Sequence, residues 1–117
     1  MKTIEEIKLQ AELPVLVTDE QGLIIYANEP FRAVFGWDDD EVLGQTLEVI
    51  IPRSFHDSHH LGFSRFAMTE QSKVLNHPLK LKAVKKDGTE IEAEHFITAE
   101  KLAGNWFFAA ILRPLDA

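Results

Sequence analysis

The chain contains no cysteine. That excludes disulfides, thiolate nucleophiles, zinc–thiolate and iron–sulfur centres, and any covalent cysteinyl adduct with a chromophore. Positive charge is scarce: 12 Lys and Arg stand against 19 Asp and Glu, a net charge of −7. With so little to neutralise phosphates, the balance argues against general binding to nucleic acid or to an anionic membrane surface. Long apolar runs are missing too, and no stretch approaches the roughly 18 residues of a transmembrane helix. MKTIEEIK at the start carries acids where a secretory signal needs an apolar core. The expectation is a cytoplasmic protein without membrane insertion. Nor does any side-chain set pair a nucleophile with a base, so the chain is not expected to be an enzyme by itself. Glu92 and Glu94 share a strand face, but nothing converges on them.

What is present describes one soluble domain: 117 residues, 45% apolar and 26% charged. Thr3 and Glu6 have capping-box spacing, and Ile4, Ile7 and Ala11 fall on one side of a short helix that Pro14 ends. This helix is either a flap over one edge of the core or a dimerisation helix. Val15–Asp19 and Leu23–Ala27 read as strands joined by the turn Glu20-Gln21-Gly22. Asn28 is placed to cap a helix over Glu29–Phe35, with Phe31 and Phe35 one turn apart and Gly36 closing it. A helical turn over Glu41–Leu43, stopped by Gly44, and an apolar turn over Thr46–Ile51 follow.

Next comes IPRSFHDSHHLGFSRF, residues 51–66. Pro52 suits a first helical turn and Ser54 a cap, so the spacing predicts a helix. At about 100° per residue, Phe55, His59, Gly62 and Phe66 share one face, an apolar stripe with a single imidazole. Two roles are open for His59. It holds a flat ligand against the helix, beside a glycine that leaves room, or it is a core histidine bonded to a carbonyl. His56 and His60 lie on the flank and read as a solvated face rather than a zinc pair. The five phenylalanines Phe31, Phe35, Phe55, Phe63 and Phe66 suit a core or the wall of an apolar pocket equally.

Residues 67–77 read as a loop. Leu79, Leu81 and Ala83 alternate with Lys80 and Lys82 in a half-buried strand, and Asp87-Gly88 marks a hairpin turn. On the following strand Ile91, Ala93, His95 and Ile97 share one face. Trp106–Leu112 is apolar on both faces and needs cover on both. Two strands, a run of short helices and a three-strand meander make an α+β fold, a five-stranded sheet curled over a helical segment.

The stretches LPVLVTDEQGLIIYAN (13–28), FRAVFGWDDDEVLGQ (31–45), IIP (50–52), KKDGTEIE (85–92) and NWFFAAILR (105–113) resemble, in order and spacing, the consecutive signatures of the PAS domain, the sensory module of bacterial signalling proteins. The resemblance runs from Leu13 to Arg113. It implies a five-stranded antiparallel sheet with helices enclosing a ligand pocket on one face, a homodimer, and relay of the ligand's state to an output domain or partner protein. Residues 1–12 would be an N-terminal cap or dimerisation helix, 13–114 the PAS domain and 115–117 the start of a linker.

The central stretch is similar to the heme-binding oxygen and redox sensors of the FixL and Dos types. That likeness implies heme b ligated by His59, for which the periodicity offers Phe55, Gly62 and Phe66, with Phe63, as neighbours. It puts His77 at a distal-ligand position, as a second metal ligand, and His95 in the distal pocket, where strand alternation adds Ile97. Leu79 stands where those sensors carry the arginine that hydrogen-bonds bound oxygen. A His/His-ligated or five-coordinate iron responding to redox state, CO or NO is then expected instead of a stabilised oxygen complex. For His95 the other reading is a buried imidazole bonded within the protein; for His77, a solvated loop residue. Flavin, stacked on Trp37 or Trp106, is an alternative cofactor, although the sequence offers no evident polar contacts for its ring edge. A cofactor-free module for dimerisation and protein–protein contact is the alternative function.

Overall fold

The computed structural model describes residues 3–9, 11–53 and 78–115. In chain order the elements are α1 (Ile4–Lys8), β1 (Val15–Thr18), β2 (Ile24–Ala27), α2 (Glu29–Phe35), α3 (Asp39–Val42), a 3-10 turn (Leu47–Ile50), β3 (Pro78–Val84), β4 (Glu90–Leu102) and β5 (Asn105–Pro114). The strands form one sheet in the order β2-β1-β5-β4-β3, and every pairing is antiparallel. The expected α+β fold with a five-stranded antiparallel sheet is therefore observed.

Local chemistry accounts for most element ends. α1 starts at a complete capping box, in which the Glu6 N–H donates to the Thr3 side chain and the Glu6 carboxylate accepts from the Thr3 N–H. It stops at Lys8, so Ala11, expected on its buried stripe, is exposed outside it. Only Ile4 and Ile7 anchor this helix, and one turn and a half is all they sustain. α2 runs as its signals predict, from Asn28 to Gly36, whose φ of 84° is the left-handed conformation a glycine adopts without strain. α3 begins two residues earlier than expected, because Asp38 and Glu41 form a second capping box.

The sheet has two covered faces. On one, Ile4 and Ile7 of α1 pack with Val15, Val17, Ala109 and Ile111. On the other, α2, α3 and the 3-10 turn bring Phe31, Phe35, Val42 and Ile50 onto Leu16, Ile24, Ala83 and Leu112. Phe31 and Phe35 stack at 4.7 Å and are fully buried, each contributing about 2 kcal/mol of burial free energy. The two-sided apolar strand β5 is the layer both clusters share.

Asn28 ties this second layer to the sheet. Its Oδ1 accepts from Phe31 N–H at 3.0 Å and Val15 N–H at 2.9 Å, and its Nδ2 donates to the Leu13 carbonyl at 2.9 Å. One buried side chain thus caps α2 and fastens its start to β1. The other end of α2 meets the β3–β4 turn, where the Lys86 N–H donates to the Phe35 carbonyl at 2.9 Å and the Lys86 ammonium pairs with Glu41.

Candidate functional site

The register of β3, β4 and β5 sets three residues in one row: Leu79 lies opposite His95, and His95 opposite Leu112. Directly opposed residues project to the same side of a sheet, and Leu112 belongs to the cluster under α2. Leu79, His95 and Leu112 therefore look toward the helical layer. One row along, Ile97 lies opposite Ala110 and Ala110 opposite Leu16, extending the same face. Toward β3 the opposite face of these strands is charged: Lys80 pairs with Glu92 at 2.9 Å, Lys82 with Glu90 at 3.8 Å, and Arg113 with Glu94 at 3.0 Å.

His95 is the polar member of an apolar row. The residue is 7% exposed, and its Nε2 is buried without a hydrogen-bond partner among the described residues. Burial, which disfavours the charged ring, lowers its pKa to about 4; a hydrogen bond with the Leu81 backbone opposes the shift without reversing it. The imidazole is neutral at physiological pH. Since Nε2 has no partner, we assign the Leu81 bond to Nδ1 as donor, which leaves Nε2 with a lone pair facing the interior. Such a nitrogen accepts a hydrogen bond or ligates a metal, and the Nδ1 bond holds the ring as second-shell contacts hold ligating histidines.

Trp37 supplies the second orphan. Its Nε1 is buried and unpartnered among the described residues, and its ring packs against the cluster under α2 with the Lys86 ammonium 5.7 Å from its centroid. Trp106 sits elsewhere, near the tip of the β4–β5 hairpin, opposite Lys101 in the register. Beside the end of α2 there is a surface depression of 400 Å³ lined by Ala33, Val34, Phe35, Gly36, Lys85, Lys86 and Asp87. None of the residues of the His95 row lines it, nor does either unpartnered buried atom.

Of the residues singled out in the sequence, the structure brings together Leu79, His95 and Ile97. Strand alternation had grouped His95 with Ile97, and Leu79 with Leu81 and Ala83; the register joins the two groups on the face toward the helical layer. Phe55, His59, Gly62, Phe63, Phe66 and His77 lie outside the described residues. Two features escaped sequence reasoning. Asn28 shows a cap signal, but its bond to Val15 spans 13 positions and leaves no local trace. The free Nε2 of His95 and Nε1 of Trp37 depend on what does not approach them, which no spacing encodes.

With this geometry in hand, similarity to known proteins can be weighed. The family model described as PAS fold matches residues 7–99. The chain belongs to the PAS family. Three relatives align over most of this PAS domain: an uncharacterised protein of Azorhizobium caulinodans (30% identity over 87% of the chain), the sensor protein FixL of Bradyrhizobium diazoefficiens (26% over 86%) and the oxygen sensor protein DosP of Escherichia coli (20% over 89%). The chain spans only 14%, 20% and 13% of their respective lengths. Among solved structures, a PAS domain from Desulfitobacterium hafniense superposes with a TM-score of 0.69 at 21% identity, covering 89% of this chain and 93% of that one. A fungal LOV domain photoreceptor gives 0.67 at 17%, over 95% and 81%. These last two establish the fold alone. PAS domains are regulatory sensor modules, and homologues of this one occur in signal-transduction proteins. Among the described residues no helix is long and apolar enough to cross a membrane.

Proposed function

We propose that this PAS domain is the sensory module of a cytoplasmic bacterial signalling protein and that its ligand is heme b. His59 would hold the iron, with Phe55, Gly62, Phe63 and Phe66 on its side and Leu79, His95 and Ile97 forming the sheet-side wall. One observation carries the reading: an apolar, inward-facing row of the sheet contains a neutral imidazole whose Nε2 lone pair is unpartnered among the described residues. A flat apolar macrocycle with an imidazole-binding metal fits that wall. A flavin fits it less well, because its ring edge needs several polar contacts and the described residues offer two unpartnered buried polar atoms, His95 Nε2 and Trp37 Nε1. The alignment with FixL and DosP supports the same choice.

When bound, heme supplies an iron whose ligation and redox state change with oxidants, CO or NO. The protein's part is mechanical. Leu79, Ile97 and Leu112 exclude water from the wall, and His95 offers its one polar contact. A change in what the wall touches biases β4, which is paired along its length to β3 and β5. The bias passes through α1, seated on β5, or through the chain beyond residue 115, to an output domain or a partner copy in a homodimer.

The test is an absorption spectrum from about 300 to 700 nm of protein produced with added heme precursor, repeated on His59→Ala. A Soret band that collapses in the variant is the expected result. Colourless protein that takes up no added hemin overturns the heme reading and leaves a cofactor-free module for dimerisation and protein–protein contact.

A further inference from the structure

The apolar clusters on the two faces of the sheet have no residue in common, yet one polar side chain bonds to members of both. Asn28 Oδ1 accepts from Phe31 N–H at 3.0 Å, and Phe31 belongs to the cluster under α2. The same oxygen accepts from Val15 N–H at 2.9 Å, and Nδ2 donates to the Leu13 carbonyl at 2.9 Å. Val15 is part of the cluster that Ile4 and Ile7 close on the other face, and the Leu13 side chain packs against it. We infer that Asn28 couples the two faces of the sheet, so that a displacement of α2 is delivered to Leu13 and Val15 and loosens the seat of α1. Nothing in this depends on heme: any ligand that moves α2 is transmitted, under the sensory reading proposed above.

The side chain suits the task. Its residue is 7% exposed, and an amide is the group of that size that accepts twice on oxygen while donating from nitrogen. The Asn28 N–H also donates to the Val15 carbonyl at 3.2 Å, so both backbone groups of Val15 are held by one residue. On the receiving side, α1 has five residues and two buried anchors, Ile4 and Ile7. A helix that short is not stable by itself. It stays wound while it is seated, with the Ile4 N–H donating to Glu100 at 3.4 Å and the Lys8 ammonium 5.0 Å from the Tyr26 ring centroid. A small shift of the seat therefore becomes a large change in the order of α1.

Because the chain has no cysteine, one introduced thiol is a clean probe. Val17→Cys places it in the cluster beneath α1, where Val17 is 2% exposed. Its rate of modification by an aromatic disulfide reagent reads how often α1 lifts. The probe is carried by four chains: the parent, Asn28→Asp, Phe35→Leu and the double variant. Asp keeps the two acceptor bonds but sets an oxygen against the Leu13 carbonyl; Phe35→Leu disturbs α2 from within the inner layer. Asn28→Asp is expected to speed labelling roughly fivefold, the equivalent of one buried hydrogen bond. Phe35→Leu is expected to speed it while Asn28 is present and to add little once Asn28→Asp is there. Urea melts followed by circular dichroism give the share of labelling due to global unfolding, which is subtracted. If Asn28→Asp does not fold, Asn28→Ser, which keeps an N-cap oxygen and removes the donor to Leu13, takes its place. Additive effects of the two changes, or labelling that follows global stability alone, overturn the coupling and leave the sensory reading standing. Failure to take up hemin overturns the heme reading and leaves the coupling standing.

Discussion

The two faces of β3, β4 and β5 are built from the same residues in alternation, yet they solve opposite problems. The outer face carries Lys80–Glu92, Lys82–Glu90 and Arg113–Glu94, where every charge has water or a partner. The inner face carries Leu79, His95 and Leu112, and there one polar atom is buried with no described partner. Farther along the same outer face, over β1 and the middle of β5, the surface is apolar and closed by the chain's own Ile4 and Ile7. A sheet can afford exposed ion pairs almost anywhere, whereas an unpaired buried nitrogen costs about 1–3 kcal/mol. Among the described residues that cost falls on the inner face, at His95 Nε2 and Trp37 Nε1.

The comparison breaks most visibly if the inner layer is hollowed. Phe31→Ala removes a fully buried ring stacked on Phe35 and should lower unfolding free energy by about 3–5 kcal/mol in urea melts. If the loss is under about 1 kcal/mol, the layer is not the packed core described.

The pH response sharpens it next. His95 titrates near 6.5 when unfolded, and its pKa in the folded chain is about 4. Between those values the unfolded state binds a proton that the native state refuses, so stability is fully present above about pH 6.5 and falls as pH drops toward 4. The loss expected from this residue in the ligand-free protein is roughly 3 kcal/mol. His95→Leu should remove that component and leave stability at neutral pH within about 1 kcal/mol of the parent, since it removes the unsatisfied nitrogen and the Leu81 bond together. An unchanged pH profile in the variant would place the acid sensitivity elsewhere.

The smallest effect belongs to the outer face. Arg113→Ala breaks a two-pronged pair with Glu94, in which Nη2 donates at 3.0 Å and Nε at 3.3 Å. The pair is exposed, so its loss should move the melting temperature least of the three changes, and less still in high salt. A larger, salt-independent loss measured by thermal melts would mean that this face is buried by something else.

How much of this was legible depended on range. α2 could be read to the residue, because Asn28, the Phe31/Phe35 spacing and Gly36 are all signals that act within one or two turns. Strand alternation put His95 and Ile97 on one face of β4 and Leu79 on the apolar face of β3, and the register then showed these to be the same face. The end of α1 was misjudged, because Ala11 fits the helical period and no breaker intervenes before Pro14; the helix stops where its tertiary anchors stop. α3 was shifted because the capping box of Asp38 and Glu41 was passed over among neighbouring acids. The pairing of β1 with β5 joins residues 90 or more positions apart, beyond any local pattern; element order foreshadowed a single five-stranded sheet but not which strands would be neighbours.

Alternation of apolar and polar residues, turn chemistry and capping groups are local, so the amino-acid order alone determined the class of fold, the inward side of each strand and the absence of cysteine chemistry. Whether His95 would find a partner, and whether Asn28 would reach Val15, was decided only when distant strands came together. A hydrogen bond requires two groups in one place, and the chain specifies each group long before the fold specifies the place.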